Sequence, residues 1–168
     1  MHGPEELQAV RERYDRRDPD MDAARYDPLT PAVYLSEQER ERALIQLLRE
    51  VSAEPLASRK VVEVGCGAGK NLLQLIRLGF APEHLRGVEL IDDRAARARR
   101  CLPATVEIAT GDALALPVPP ASVDIAYQSV VFSSILDTEF RRTLAARMWE
   151  WVRPGGGVLW YDFVFNNP

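Results

Sequence analysis

The sequence predicts an α/β domain: an open, mostly parallel sheet with helices on both faces. Three observations carry that prediction. Short β-branched runs alternate with amphipathic stretches between residues 60 and 163, and strands that alternate with helices pair in parallel through right-handed crossovers. A glycine-rich turn, "GCGAG", follows the first of those runs directly. The 168 residues, 46% apolar and 27% charged, suit one globular domain with a core of its own.

The elements follow in order. Leu7, Val10 and Tyr14 share one helical face, which predicts a short helix over 5–16. The stretch "RRDPDMDAARYDPLTP" then reads as a loop with turns. Residues 1–35, charged on both signs and broken by Pro4, Pro19, Pro28 and Pro31, are read as a helix and lid segment ahead of a domain over 36–168. Ser36 with Glu39 makes a capping box for a second helix, whose apolar stripe is Leu44, Leu47, Leu48 and Val51. Strands are predicted at 60–64, 85–90, 105–109, 123–129 and 157–163, with helices at 69–78, 93–101 and 138–152. Asp92 is read as the N-cap of the helix "DRAARARR".

Composition excludes several classes. The formal net charge of −4 argues against a nucleic-acid surface, which needs a basic footprint. No apolar run approaches a membrane span, and "MHGPEELQAV" lacks the pattern of a signal peptide. Cys66 and Cys101 have no metal-type spacing, so no metal is expected, and they read as reduced thiols of a cytoplasmic protein.

In open α/β sheets, ligands bind beyond the carboxyl ends of the strands. Three acids fall there: Glu63 in "VVEVGCGAGK", Glu89 in "LRGVELIDD" and Asp112 in "ATGDALALP". A dinucleotide fingerprint wants glycines at relative positions one, three and six; those positions hold Gly65, Gly67 and Lys70, so the third glycine is missing. Lys70 is followed by Asn71, which removes a phosphate loop. Glu89 stands where an acid accepts hydrogen bonds from ribose hydroxyls, and Asp112 where one can take an amino group of a base.

These residues carry a resemblance. "EVGCGAG" resembles the first motif of the class I S-adenosylmethionine-dependent methyltransferases, "GVEL" their ribose-binding strand end and "GDALALP" their adenine-side acid. "VDIAYQSVVFSSI" is similar to their fourth strand, and "VRPGGG" with "LWYDF" to their fifth, so the likeness runs over 36–168 in order. The ends of the chain resemble a bacterial group acting on small or lipid-linked metabolites. The resemblance implies a Rossmann-like sheet and S-adenosylmethionine as cofactor, with S-adenosylhomocysteine as product. It places Gly65, Cys66, Gly67, Gly69 and Asn71 against the methionine portion and ribose, and gives Glu63 the methionine ammonium. Glu89 and Leu90 would take the ribose, Asp112, Ala113 and Leu114 the adenine, and Gln128 the methionine end or the acceptor.

The implied reaction is in-line displacement at the sulfonium methyl carbon, with a general base needed only if the acceptor must lose a proton. No residue is identified as that base: His2 is terminal and His84 falls at the opposite edge of the sheet. Tyr14, Arg17, Tyr26, Tyr127 and Ser129 are candidates for the acceptor side or the lid, with Tyr127 read equally as a core residue. "NNP" follows the fifth strand, whereas the Asn-Pro motif of adenine N-methyltransferases follows the fourth, so a DNA base is rejected. The alternative reading is a cofactor-binding subunit or sensor without transfer activity. Family members usually continue past the fifth strand with a helix and strands six and seven, which are missing here. The apolar edge "VLWYDFVF" therefore predicts either truncation of a longer protein or a homodimer paired through this strand.

Overall fold

A computed structural model describes residues 3–16, 27, 29–51 and 55–163. Residues 1–2, 17–26 and 28 of the expected helix and lid segment, with Arg17 and Tyr26, and the terminal "NNP" lie outside the described residues. The element order is α1 (Gly3–Asp15), α2 (Pro31–Val51), β1 (Val61–Val64), α3 (Lys70–Arg77), β2 (Leu85–Glu89), α4 (Asp92–Cys101), β3 (Glu107–Thr110), β4 (Val123–Ser129), α5 (Thr138–Trp151) and β5 (Val152–Tyr161). The strands form one sheet in the order β3-β2-β1-β4-β5, with every pairing parallel. Strand order reverses between β1 and β4, so a crevice opens there at the carboxyl ends.

Alternation along the strands divides the core. Val62, Val64, Val88 and Ala126 face α1 and α5, whose Val10, Phe140, Leu144, Met148 and Trp151 complete one layer. Val61, Leu85, Ile108 and Tyr127 face α2, α3 and α4, where Leu44, Leu48, Leu72, Leu75, Ala95 and Ala98 form the other. Leu44 and Leu48 are buried as the stripe predicts, but Leu47 is 40% exposed.

Three expectations are corrected. α2 starts at Pro31, five residues before the point the capping box implies. Pro31 is pre-organised for a first helical position, and the Thr30 carbonyl accepts from the Tyr34 amide (3.0 Å), leaving Ser36 inside the helix. Asp92 is the first residue of α4 and caps nothing through its side chain. It acts as an acid in the first turn, where the helix dipole favours negative charge. β5 begins at Val152 and takes in "RPGGG", because a register irregularity between Val123 and Ile125 absorbs the extra residues. A Cβ on Gly156 would stand 2.4 Å from the Asp124 carbonyl oxygen, so glycine is required there.

The amino ends of the strands are tied separately. Asp124, 4% exposed, accepts from Arg59 Nη1 (2.9 Å), the Lys60 amide (2.8 Å) and Arg153 Nε (2.8 Å). One carboxylate thus holds the starts of β1, β4 and β5 together, at the end of the sheet away from the crevice.

Candidate cofactor and acceptor site

The glycine turn owes its shape to backbone sterics. Gly65, Gly67 and Gly69 all have positive φ (68°, 54° and 85°), which side-chain-bearing residues adopt at a cost. A Cβ on Gly65 would strike Val131 Cγ2 at 2.4 Å, whereas one on Gly67 meets nothing within 4 Å. The turn is held from β2: the Gly65 and Cys66 amides donate to the Val88 carbonyl oxygen (2.8 and 3.1 Å). The Gly67 amide donates to Glu89 Oε2 (2.7 Å).

Glu89 also accepts from the Ile91 amide at Oε1 (2.9 Å). Both its oxygens are fixed while the carboxylate, 6% exposed, lines the crevice. Asp112 uses Oδ1 to accept from the Leu114 amide (2.9 Å), capping the short turn Ala113–Ala115. That is the bland role of an acid in a turn, yet Asp112 lines the cavity as well.

The cavity measures about 730 Å³, within the range of small-molecule sites. Gly65, Cys66, Gly67, Asn71, Glu89, Leu90, Asp112, Ala113, Ser129 and Tyr14 line it as expected from the sequence. Glu63, Gly69, Leu114, Gln128 and Tyr127 lie outside its lining. Gly69 packs against Leu102 and Ala98. Tyr127 is a core residue, 3% exposed, and burial pushes its hydroxyl up to about 12, so it supplies no base. Gln128 is fully buried and links strand ends: its amide donates to the Tyr161 carbonyl oxygen (3.4 Å) and its Oε1 accepts from the Val131 amide (3.1 Å). Burial likewise raises the Cys66 thiol, which keeps it protonated and inert.

Glu63 is fully buried. Desolvation pushes its carboxyl up to about 8, against the opposing influence of Asn71 and Arg40. Asn71 Nδ2 donates to Oε1 (2.7 Å), and Oε2 has no partner. Asn71 itself lines the cavity, so it relays Glu63 to the site.

Several lining residues were not anticipated. Val130 has φ 59°, a strained conformation for a β-branched residue, and its amide donates to the Tyr161 carbonyl oxygen (2.8 Å). Lys70 pairs with Glu37 of α2 across the mouth. Arg94 lies over the Tyr14 ring, 4.4 Å from its centroid. Arg40 places Nη1 3.4 Å from Ser129 Oγ and its guanidinium 5.5 Å from the centre of the Tyr161 ring. The signal for Arg40 was in the sequence: it stands four and eight residues before Leu44 and Leu48, a charge on the apolar stripe. Glu6 in α1 accepts at Oε1 from Arg13 (2.6 Å) and from the Leu136 amide (2.8 Å), and no local pattern announces that long-range pair.

The arrangement can hold a ligand with hydroxyls at Glu89, an amino-bearing ring at Asp112 and Ala113, and a close-lying chain at Gly65 and Gly67. Glu89 and Asp112 suit hydroxyl and amino groups, which fits S-adenosylmethionine, a cation without phosphate.

Comparison with known proteins agrees. A family profile described as "Methyltransferase domain" matches residues 61–156. The chain is 32% identical over 130 residues to the O-methyltransferase cnsE of Penicillium expansum, covering 73% of this chain and 45% of that protein. Its fold is similar to that of an S-adenosylmethionine-dependent methyltransferase from Mesorhizobium loti (TM-score 0.50, 26% identity, 66% of this chain and 49% of that one). It is also similar to the cofactor-bound amino pentose methyltransferase CalS10 from Micromonospora echinaspora (TM-score 0.59, 22% identity, 73% and 50%). The chain therefore spans about half the length of these relatives.

Proposed function

The chain belongs to the methyltransferase domain family, and from that premise we propose that it binds S-adenosylmethionine in this cavity and transfers the methyl group to a small-molecule or lipid-linked acceptor. The observation that carries the reading is Glu89: a buried carboxylate, anchored by two backbone amides and still facing the cavity. Glu89 would receive the ribose hydroxyls, Asp112 with Ala113 the adenine, and the Gly65–Gly67 backbone the methionine chain. Asn71, backed by Glu63, would face the methionine ammonium. The cofactor, when bound, supplies an electrophilic methyl on a positive sulfur. The protein's contribution is alignment and exclusion of water. The relative named as an O-methyltransferase makes oxygen the first acceptor atom to test.

Among the described residues no histidine lines the cavity; the acids that do are Glu37, Glu89 and Asp112. Glu37 is ion-paired and the other two hold backbone amides, so an acceptor that is already nucleophilic suits the site. The same observation favours the second reading, cofactor binding without transfer. Calorimetry with S-adenosylmethionine, S-adenosylhomocysteine and a nicotinamide dinucleotide tests the site: the first two should bind and the third should not. Transfer of labelled methyl to a metabolite extract separates the two readings; cofactor binding with no labelled product from any extract would favour the second.

A further inference from the structure

Three cations line the cavity among the described residues, and they are not equivalent. Lys70 is neutralised by Glu37. Arg94 stacks on Tyr14, on the β2 side near Leu90. Arg40 stands at the β4 and β5 ends, touching Ser129 and Tyr161, and among the described residues no carboxylate lies within ion-pair distance of it. Its charge acts on the buried Glu63, whose carboxyl desolvation pushes up to about 8. Strand order gives the direction: Asp112 follows β3, Glu89 follows β2 and Gly65 follows β1, so the adenosine groups run one way and Arg40 lies the other. Arg40 continues the inner stripe of α2 beyond Leu44 and Leu48, past the edge of the sheet into the cavity. Around it the lining includes the apolar Ala32, Val33, Val130, Tyr161 and Phe163 beside the polar Ser36, Glu37 and Ser129.

We propose that Arg40 anchors an anionic group, a carboxylate or phosphate, on a methyl acceptor whose body is apolar. The inference rests on the cofactor reading above and adds the acceptor class to it. A guanidinium offers a planar fork of donors that matches both anions, and stacking on an aromatic ring pre-orients that fork.

The test uses the protein saturated with S-adenosylhomocysteine and three probes: benzoate, phenyl phosphate and neutral benzamide. Benzoate or phenyl phosphate should bind in calorimetry at least about tenfold more tightly than benzamide, the scale of one charge-assisted hydrogen bond. Arg40→Met should abolish that preference while S-adenosylhomocysteine affinity stays within about twofold. Arg40→Lys, which keeps the charge and loses the fork, should retain part of it. Equal binding of benzoate and benzamide by the parent overturns the proposal. So does a variant that loses S-adenosylhomocysteine affinity yet binds decarboxylated S-adenosylmethionine like the parent, since Arg40 would then serve the carboxylate of the cofactor. If the parent binds no S-adenosylhomocysteine at all, the cofactor reading itself fails, a result distinct from either.

Discussion

Two carboxylates at neighbouring strand ends behave oppositely because their surroundings differ. Glu89 receives two backbone amides and faces the cavity, so it presents a fixed acceptor there. Hydrogen bonds to a charged group contribute roughly 2–3 kcal/mol, so Glu89→Ala should weaken S-adenosylmethionine about 30- to 100-fold in calorimetry. An unchanged affinity would remove Glu89 from the site. Glu63 is enclosed, and its folded value of about 8 lies above the ordinary 4.5. The folded chain therefore holds a proton that the unfolded chain releases between those values. The stability this group contributes is complete below the ordinary value and lost as pH rises through the folded one. Urea unfolding of the parent should weaken from about pH 5 to pH 8.5, and Glu63→Gln should flatten that slope. A cofactor ammonium beside Asn71 would favour the ionised form. Binding near neutral pH should then release a proton, visible as a buffer-dependent heat in the parent and absent in Glu63→Gln.

Turns show how one element constrains another. Gly65 is confined twice, by its positive φ and by Val131 at 2.4 Å from any added Cβ. Gly65→Ala should cost about 1–3 kcal/mol in chemical denaturation. Adding Val131→Ala should return only part of it, because the clash is relieved and the backbone strain is not. Full recovery in the double variant would mean the φ carries no cost. α1 is held differently. Its buried Glu6 and Arg13 bridge to Leu136 and to the Ser134 carbonyl oxygen (3.0 Å), so a polar clasp supports the apolar contact of Val10. Glu6→Ala should speed hydrogen exchange at the Leu136 amide and leave the β1 amides protected.

At the scale of the molecule, the sheet has a functional end and a structural end. Asp124 ties three strands at the structural end, and its carboxyl is held below the ordinary range by the Lys60 amide and the two arginines, which outweigh the opposing effect of burial. Its contribution is present above the unfolded value and lost as pH falls through the folded one. Asp124→Asn should destabilise by about 1.5–3 kcal/mol, since it removes the charge that accepts from the buried Arg59 and the half-exposed Arg153. Cofactor affinity should stay within about twofold, because the crevice lies at the other end of the sheet. The same division explains what the sequence made legible. β-branched runs and the apolar faces of α1 and α2 are local periodicities, so every strand and most helices were readable. Glu89 and Asp112, which line the cavity, were readable because each sits at the end of its own strand. The charge of Arg40 on the α2 stripe was visible in the sequence, but its place in the cavity depends on how α2 docks; Arg94 meets Tyr14 only once α1 docks, and the partner of Glu6 lies 130 residues away. Tyr127 stayed ambiguous because a buried strand shows no polar face to set its direction.

The clasp between Glu6 and Leu136 joins residues 130 positions apart. On a ribosome adding roughly 5–20 residues per second, the first helix waits about 7–26 seconds before its partner is even synthesised. During that interval the strands that Leu7, Val10 and Tyr14 cover are made one after another, β1 to β4, before the clasp residue itself. Leu7, Val10 and Tyr14 face Val131, Ile135 and Phe140 across the same cavity, so two of its walls are made about that long apart.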